Sequence, residues 1–182
     1  NLNVWLRRRR EFAMERADEF ADRLAGTGIT TALLTGDFTS TSTEREFEMA
    51  ERFVSGLTRR GLDVMLVPGN HDVYTFGAHR NRRFEHHLGR FLPEAGYPAR
   101  FTLPGGTSVI LVNTVRPNVW TSKGHIGDAH IEKMKALLAD ASDPVIVAGH
   151  YPVLHRTEHY ETARSRRLVN ADPLREALGQ CG

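Results

Sequence analysis

Five side chains able to bind a cation or move a proton follow glycines in three short segments of this 182-residue chain: Gly36-Asp37, Gly69-Asn70-His71-Asp72 and Gly149-His150. One carboxylate, one amide oxygen and imidazole nitrogens make an oxygen–nitrogen donor set. Such a set suits Mn, Fe, Zn or Ni rather than a soft, thiolate-seeking ion. The glycines permit sharp turns and close approach of one backbone to another. Taken singly, the segments carry little. Gly-Asp after a strand is often just a turn closed by the Asp side chain, and Asn70-His71-Asp72 can be a turn in which Asp72 satisfies His71.

Placement gives the three segments their weight, because each follows an apolar run that reads as a strand. These runs cover residues 30–34, 62–67 and 144–148, and a further strand reads over 108–115. Between them lie helical periods. The first spans residues 8–24 and places Ala13, Ala17, Phe20, Ala21 and Leu24 on one face, closing near Gly26. Thr43 and Glu46 form a capping box ahead of Phe47, Ala50, Phe53, Val54 and Leu57, which share a face until Gly61. Asp128 can cap a helix whose Ile131, Met134, Leu137 and Leu138 face the core, and Asn170 or Asp172 can cap a last helix with Pro173 in its first turn. Residues 73–100 lose clear periodicity and read as an insertion or lid of loop and short helix. Strands alternating with helices predict an α/β fold with at least one largely parallel sheet. In such sheets ligands bind beyond the carboxyl ends of the strands, so the three loops are expected to meet at one crevice.

With that order and placement, the chain resembles the calcineurin-like metallophosphoesterases. Gly36-Asp37, Gly69-Asn70-His71-Asp72 and Gly149-His150 look like the second, third and fourth motifs of that family, and Gly-Asn-His-Asp is the most specific of them. The wording from Pro68 to Tyr74 is similar to that of the bacterial branch related to cyclic-nucleotide phosphodiesterases. The resemblance implies two packed β-sheets flanked by helices in an α/β/β/α arrangement, and a dinuclear centre of Mn, Fe, Zn or Ni. It implies that Asp37 bridges the two ions, that Asn70 and His150 bind the second, and that His71 contacts the phosphate and protonates or stabilises the leaving oxygen. Asp72 would then be the partner that fixes the His71 tautomer. The implied reaction is attack on a phosphodiester or phosphomonoester by metal-bound hydroxide.

Two elements of the family pattern lie outside this sequence. An Asp-x-His would precede the first helix, and a Gly-His-x-His would follow the last one. The expectation is therefore one partial domain over residues 1–182, cut at both edges and impaired as a fragment. Asp128-Ala129-His130 spells the first of these motifs but opens an amphipathic helix in the wrong order, and Gly124-His125 lacks the second histidine. Neither is expected to bind metal.

Composition narrows the remaining classes. The 24 basic residues balance 22 acidic ones, for a net charge of +2, so charge alone implies neither a nucleic-acid nor a membrane partner. Apolar runs are too short to span a bilayer. Cys181 is the single cysteine, which rules out an internal disulfide and a Cys-based zinc site. Arg7–Arg10 reads as a solvated helix face. Arg80, Arg82, Arg83, His86 and His87 read either as an exposed basic loop or as lid residues that reach substrate phosphate. His79, His155 and His159 read as surface histidines, while Trp5 and Trp120 carry no signal. The expectation is a cytoplasmic hydrolase acting on a small-molecule phosphate ester; a non-catalytic interaction module that keeps the fold is the alternative.

Overall fold

A computed structural model describes residues 14–73, 75–117, 123–141 and 144–179. Arg7–Arg10, the start of the first helix with Ala13, Trp5, Trp120 and Cys181 lie outside the described residues. Helix α1 (Met14–Gly26) leads to β1 (Thr31–Leu34), α2 (Glu44–Arg59) and β2 (Asp63–Leu66). Two short helices follow, α3 (Phe76–Arg80) and α4 (Arg83–Leu88), with a 3₁₀ turn at Gly89–Phe91. Then come β3 (Ala99–Thr102), β4 (Ser108–Leu111), α5 (Asp128–Ala139), β5 (Val145–Ala148), a 3₁₀ turn at Arg164–Arg166 and α6 (Ala171–Gly179).

The strands form two sheets. β1 and β2 pair in parallel, Thr31 opposite Asp63 and Leu34 opposite Leu66. In the second sheet β4 is central, antiparallel to β3 and parallel to β5. All four side chains of β4 are buried, as expected of a strand with a neighbour on each side. Val67, beyond β2, packs with Val109, Leu111 and Ala148, and this cluster joins the two sheets.

Local chemistry sets the helix limits. Thr43 caps α2, accepting from the Glu46 N–H while the Glu46 side chain reaches back to the Thr43 N–H, so the capping box read from sequence is present. Phe47, Ala50, Val54 and Leu57 form the buried stripe. The helix is capped at Arg60, and beyond it a φ of 86° at Gly61 lets Leu62 return its N–H to the Leu57 carbonyl. In α1 the buried seam runs through Ala21, Leu24 and Ala25 against Leu57 and Leu62. Phe20, about 100° round the helix from Ala21, is exposed rather than on the core face.

Two boundary expectations change, and Asn170, directly before α6, has a further partner. Asp128 is the first residue of α5 rather than its cap, a place taken by Gly127. Asn170 uses its amide to pair with both the N–H and the carbonyl of Ile126, tying α6 to the segment before α5. The segment 73–100 contains the expected short helices, but it ends in β3, a half-exposed strand too short to leave a periodic signature. Phe84 and Leu88 of α4 are buried with Phe47, Val54 and Leu66, which anchors this segment on α2.

No helix among the described residues is long and apolar enough to cross a membrane. Burial predicts opposite outcomes at two isoleucines of the second sheet. Ile110→Ala, at a fully buried β4 position, costs about 2–5 kcal/mol in urea unfolding, whereas Ile146→Ala, 45% exposed on β5, costs under about 1 kcal/mol.

Candidate metal centre

Parallel, in-register pairing brings the ends of β1 and β2 side by side, and the loops that leave them touch. Gly36 has a φ of 96°, and a Cβ placed there would strike the backbone of Gly69. A Cβ on Gly69 would in turn strike the main-chain nitrogen and Oδ1 of Asp37. Only glycine fits at either position. Asp37 itself has a φ of 59°, a left-handed conformation that Asp adopts more readily than most side chains. This strained placement sets its carboxylate against the next loop, where Oδ1 accepts the His71 N–H at 3.1 Å.

The third loop arrives from the second sheet. His150, just beyond β5, has Nδ1 2.8 Å from the carbonyl oxygen of Thr35. A carbonyl only accepts, so Nδ1 carries the hydrogen and fixes the ring. The opposite nitrogen, Nε2, lies 3.1 Å from Oδ1 of Asn70 and 3.5 Å from Oδ1 of Asp37. In the neutral ring three lone pairs therefore converge from three loops, an arrangement that calls for a positive charge among them. Two oxygens and one imidazole nitrogen suit a borderline divalent cation. The Thr35 carbonyl behind the ring is the kind of partner that orients a histidine ligand. The donor set thus fits a metal ion, and the structure brings together Asp37, Asn70 and His150.

The fourth and fifth expected residues behave differently from each other. His71 adjoins the cluster through its N–H on Asp37, and its Nδ1 sits 2.8 Å from the Ser40 carbonyl. Asp72 does not take the tautomer-fixing part expected of it. Its Oδ1 accepts from the N–H and hydroxyl of Thr39 at 2.9 and 3.1 Å, and its Oδ2 accepts from Gly69 N–H at 2.8 Å. The carboxylate is 1% exposed and braces the two loops against each other, while a main-chain carbonyl orients His71. Burial, aided by the charge of Asp37, pushes Asp72 up to about 6 against the lowering effect of the N–H donors. Tyr151 beside His150 is likewise pushed up to about 12, by burial and then by Asp37.

Of the supporting residues only Thr43 and Glu46 were singled out in the sequence, as a capping box, although a wider signal stood there: five consecutive hydroxyl side chains from Thr39 to Thr43. Ser42, with a φ of 56°, donates its hydroxyl to the His71 carbonyl at 2.5 Å, and the Thr39 hydroxyl, 3.0 Å from that carbonyl, shares its one hydrogen between it and Asp72. Glu46 gathers the rest. Its Oε1 accepts from Ser40 N–H, and its Oε2 accepts from the N–H and hydroxyl groups of Thr41 and Thr43, at 2.9–3.2 Å. The capping residue of α2 therefore also shapes the loop whose Ser40 carbonyl holds His71.

Asp128 and His130 lie in the first turn of α5, and His125 binds Thr114 through its main chain, so neither decoy joins the cluster. His155 sets Nε2 on the Leu168 carbonyl, while His79 and His159 are exposed. His87 is only 9% exposed and bonded to Glu44 and Glu51, which corrects its reading as part of an exposed basic loop.

Residues 11–175 match the calcineurin-like phosphoesterase family, and the chain belongs to it. The two sheets flanked by helices are that family's fold, and its members are generally metal-dependent phosphoester hydrolases. No curated protein matches this chain.

Burial pushes the Glu46 carboxyl up, but the donors of Thr43, Thr41 and Ser40 outweigh it and hold the group below its ordinary value. Its stabilising contribution is therefore complete above the unfolded carboxylate value and is lost as pH falls through the lower folded one. Glu46→Gln is expected to cost about 1–3 kcal/mol in denaturant unfolding at neutral pH, with the difference shrinking in acid. A difference that grows in acid would contradict this role.

Proposed function

We propose that this protein hydrolyses a small-molecule phosphodiester or phosphomonoester at a dinuclear centre of Mn, Fe, Zn or Ni. The observation that carries the reading is the convergence of Asp37 Oδ1, Asn70 Oδ1 and His150 Nε2, with the far side of the His150 ring held by Thr35. Asp37, Asn70 and His150 would hold the metal, with Asp37 the carboxylate that would serve both cations. The cations supply Lewis acidity, lowering the pKa of an attacking water and drawing charge from the phosphoryl oxygens.

The chain's own groups do the rest. Asn70 is a neutral ligand, so it leaves the centre with more positive charge for an anionic substrate than a second carboxylate would. His71, its Nδ1–H on Ser40, would act as an imidazolium, giving its Nε2 proton to the leaving oxygen and becoming the neutral ring. Thr39 and Ser42 hold the His71 main chain so that the ring keeps its position. Asp72 keeps the Asp37 and Asn70 loops in contact, and its role is structural rather than catalytic.

Hydrolysis of bis(4-nitrophenyl) phosphate and 4-nitrophenyl phosphate by the product of the whole gene tests this reading. Activity is expected to vanish with a chelator, to return with Mn²⁺, and to fall at least about 100-fold in Asp37→Asn and His150→Ala. His71→Ala is expected to depress kcat more for a poor leaving group than for 4-nitrophenolate, which needs little protonation. Turnover that survives the chelator and Asp37→Asn would overturn the reading. Metal binding without turnover would favour a non-catalytic module built on the same fold.

A further inference from the structure

A second group of donor atoms lies between α2 and α4, on residues that the proposed reaction does not use. Glu44, Phe47 and Glu51 are spaced three and four apart, so they share one face of α2. His87 of α4 lies on that face with its ring parallel to Phe47, the centroids 5.7 Å apart and the planes at 6°. Nε2 of His87 is 2.7 Å from Glu44 Oε1, and Nδ1 is 3.3 Å from Glu51 Oε2. His86 meets His87 edge-on at 5.0 Å. One donor atom from each of Glu44, His86 and His87 lies within 4.8 Å of the other two.

We propose that Glu44, His86 and His87 form a binding site for a zinc-like divalent cation, with Glu51 orienting His87 from behind. One carboxylate and two imidazoles are a zinc donor set that leaves a fourth position for water. Glu51 on the far nitrogen of His87 completes the carboxylate–histidine arrangement that fixes a ligand's tautomer and raises its basicity. A shared proton would also join His87 to Glu44, but a proton needs only those two groups. The third donor, from His86, converges on the same place, and that is what a cation requires.

The charges around the site are arranged consistently with this. Arg83 Nε sits 3.0 Å from Glu44 Oε2, and Arg90 sits 3.3 Å from Glu51 Oε1. Each carboxylate thus has one oxygen on an arginine and the other turned to His87. Arg83 also donates to the Ser42 carbonyl at 2.8 Å, and Ser42 holds the His71 carbonyl. A cation here would pin α4 to α2 and brace the loop that carries the His71 contacts, as a structural rather than catalytic ion.

The experiment is calorimetric titration of the full chain with Zn²⁺ in an Asp37→Asn/His150→Ala background, which silences the first centre. One equivalent of Zn²⁺ is expected to bind. His86→Ala, which truncates an exposed side chain, is expected to weaken binding at least about tenfold while circular dichroism stays unchanged. Glu51→Gln, which touches His87 alone among the three donors, is expected to weaken it about 10–100-fold. Absence of binding in this background, or binding that His86→Ala leaves unmoved, would overturn the site and leave Glu44 and His87 sharing a proton. Neither result bears on the Asp37 centre, which is tested by its own variants.

Discussion

The close contact between the loops after β1 and β2 is the constraint on which the centre depends. Gly36 and Gly69 lie so near each other that neither tolerates a Cβ, and the left-handed turn at Asp37 follows directly from that packing. The turn sets the Asp37 carboxylate against the His71 N–H, and Asp72 then locks the same two loops through Thr39 and Gly69. His150 completes the arrangement from the other sheet, its ring held by a carbonyl one residue before Gly36. Asp37 and His150 are thus each held by a backbone group of another loop.

Electrostatics follows from the same packing. Lone pairs of Asp37, Asn70 and His150 converge on one another, and burial raises the Asp72 carboxyl in the same loops. A cation among the three donors would offset their mutual repulsion. The α2–α4 cluster handles the problem differently, because Arg83 and Arg90 already offset its carboxylates. The two centres therefore differ in built-in charge, the first left negative and the second near balance.

Much of this was legible in the sequence because it rested on short-range signals. The capping box at Thr43 and Glu46, the stripe of α2 and the strands ahead of Gly36, Gly69 and Gly149 all follow from spacing alone. The meeting of the Asp37 and Asn70 loops follows from the parallel pairing of β1 and β2, whereas the approach of His150 depends on how the second sheet packs on the first. What the sequence concealed depends on partners distant along the chain. Asp72 follows His71 directly, yet its carboxylate belongs to Thr39, 33 residues earlier, and the ring of His71 belongs to Ser40. His87 looked like one of several basic residues in an aperiodic stretch. Only the docking of α4 on Phe47 buries it between two acids. β3 was missed because four half-exposed residues carry no pattern until β4 pairs with them.

The central claim is that three loops present one cation-binding face. The most direct measurement is anomalous diffraction at the manganese edge from crystals of the protein equilibrated with Mn²⁺. The expected result is a peak within bonding distance of Oδ1 of Asp37, Oδ1 of Asn70 and Nε2 of His150. A map with no peak there, or with manganese bound only elsewhere on the molecule, would contradict it.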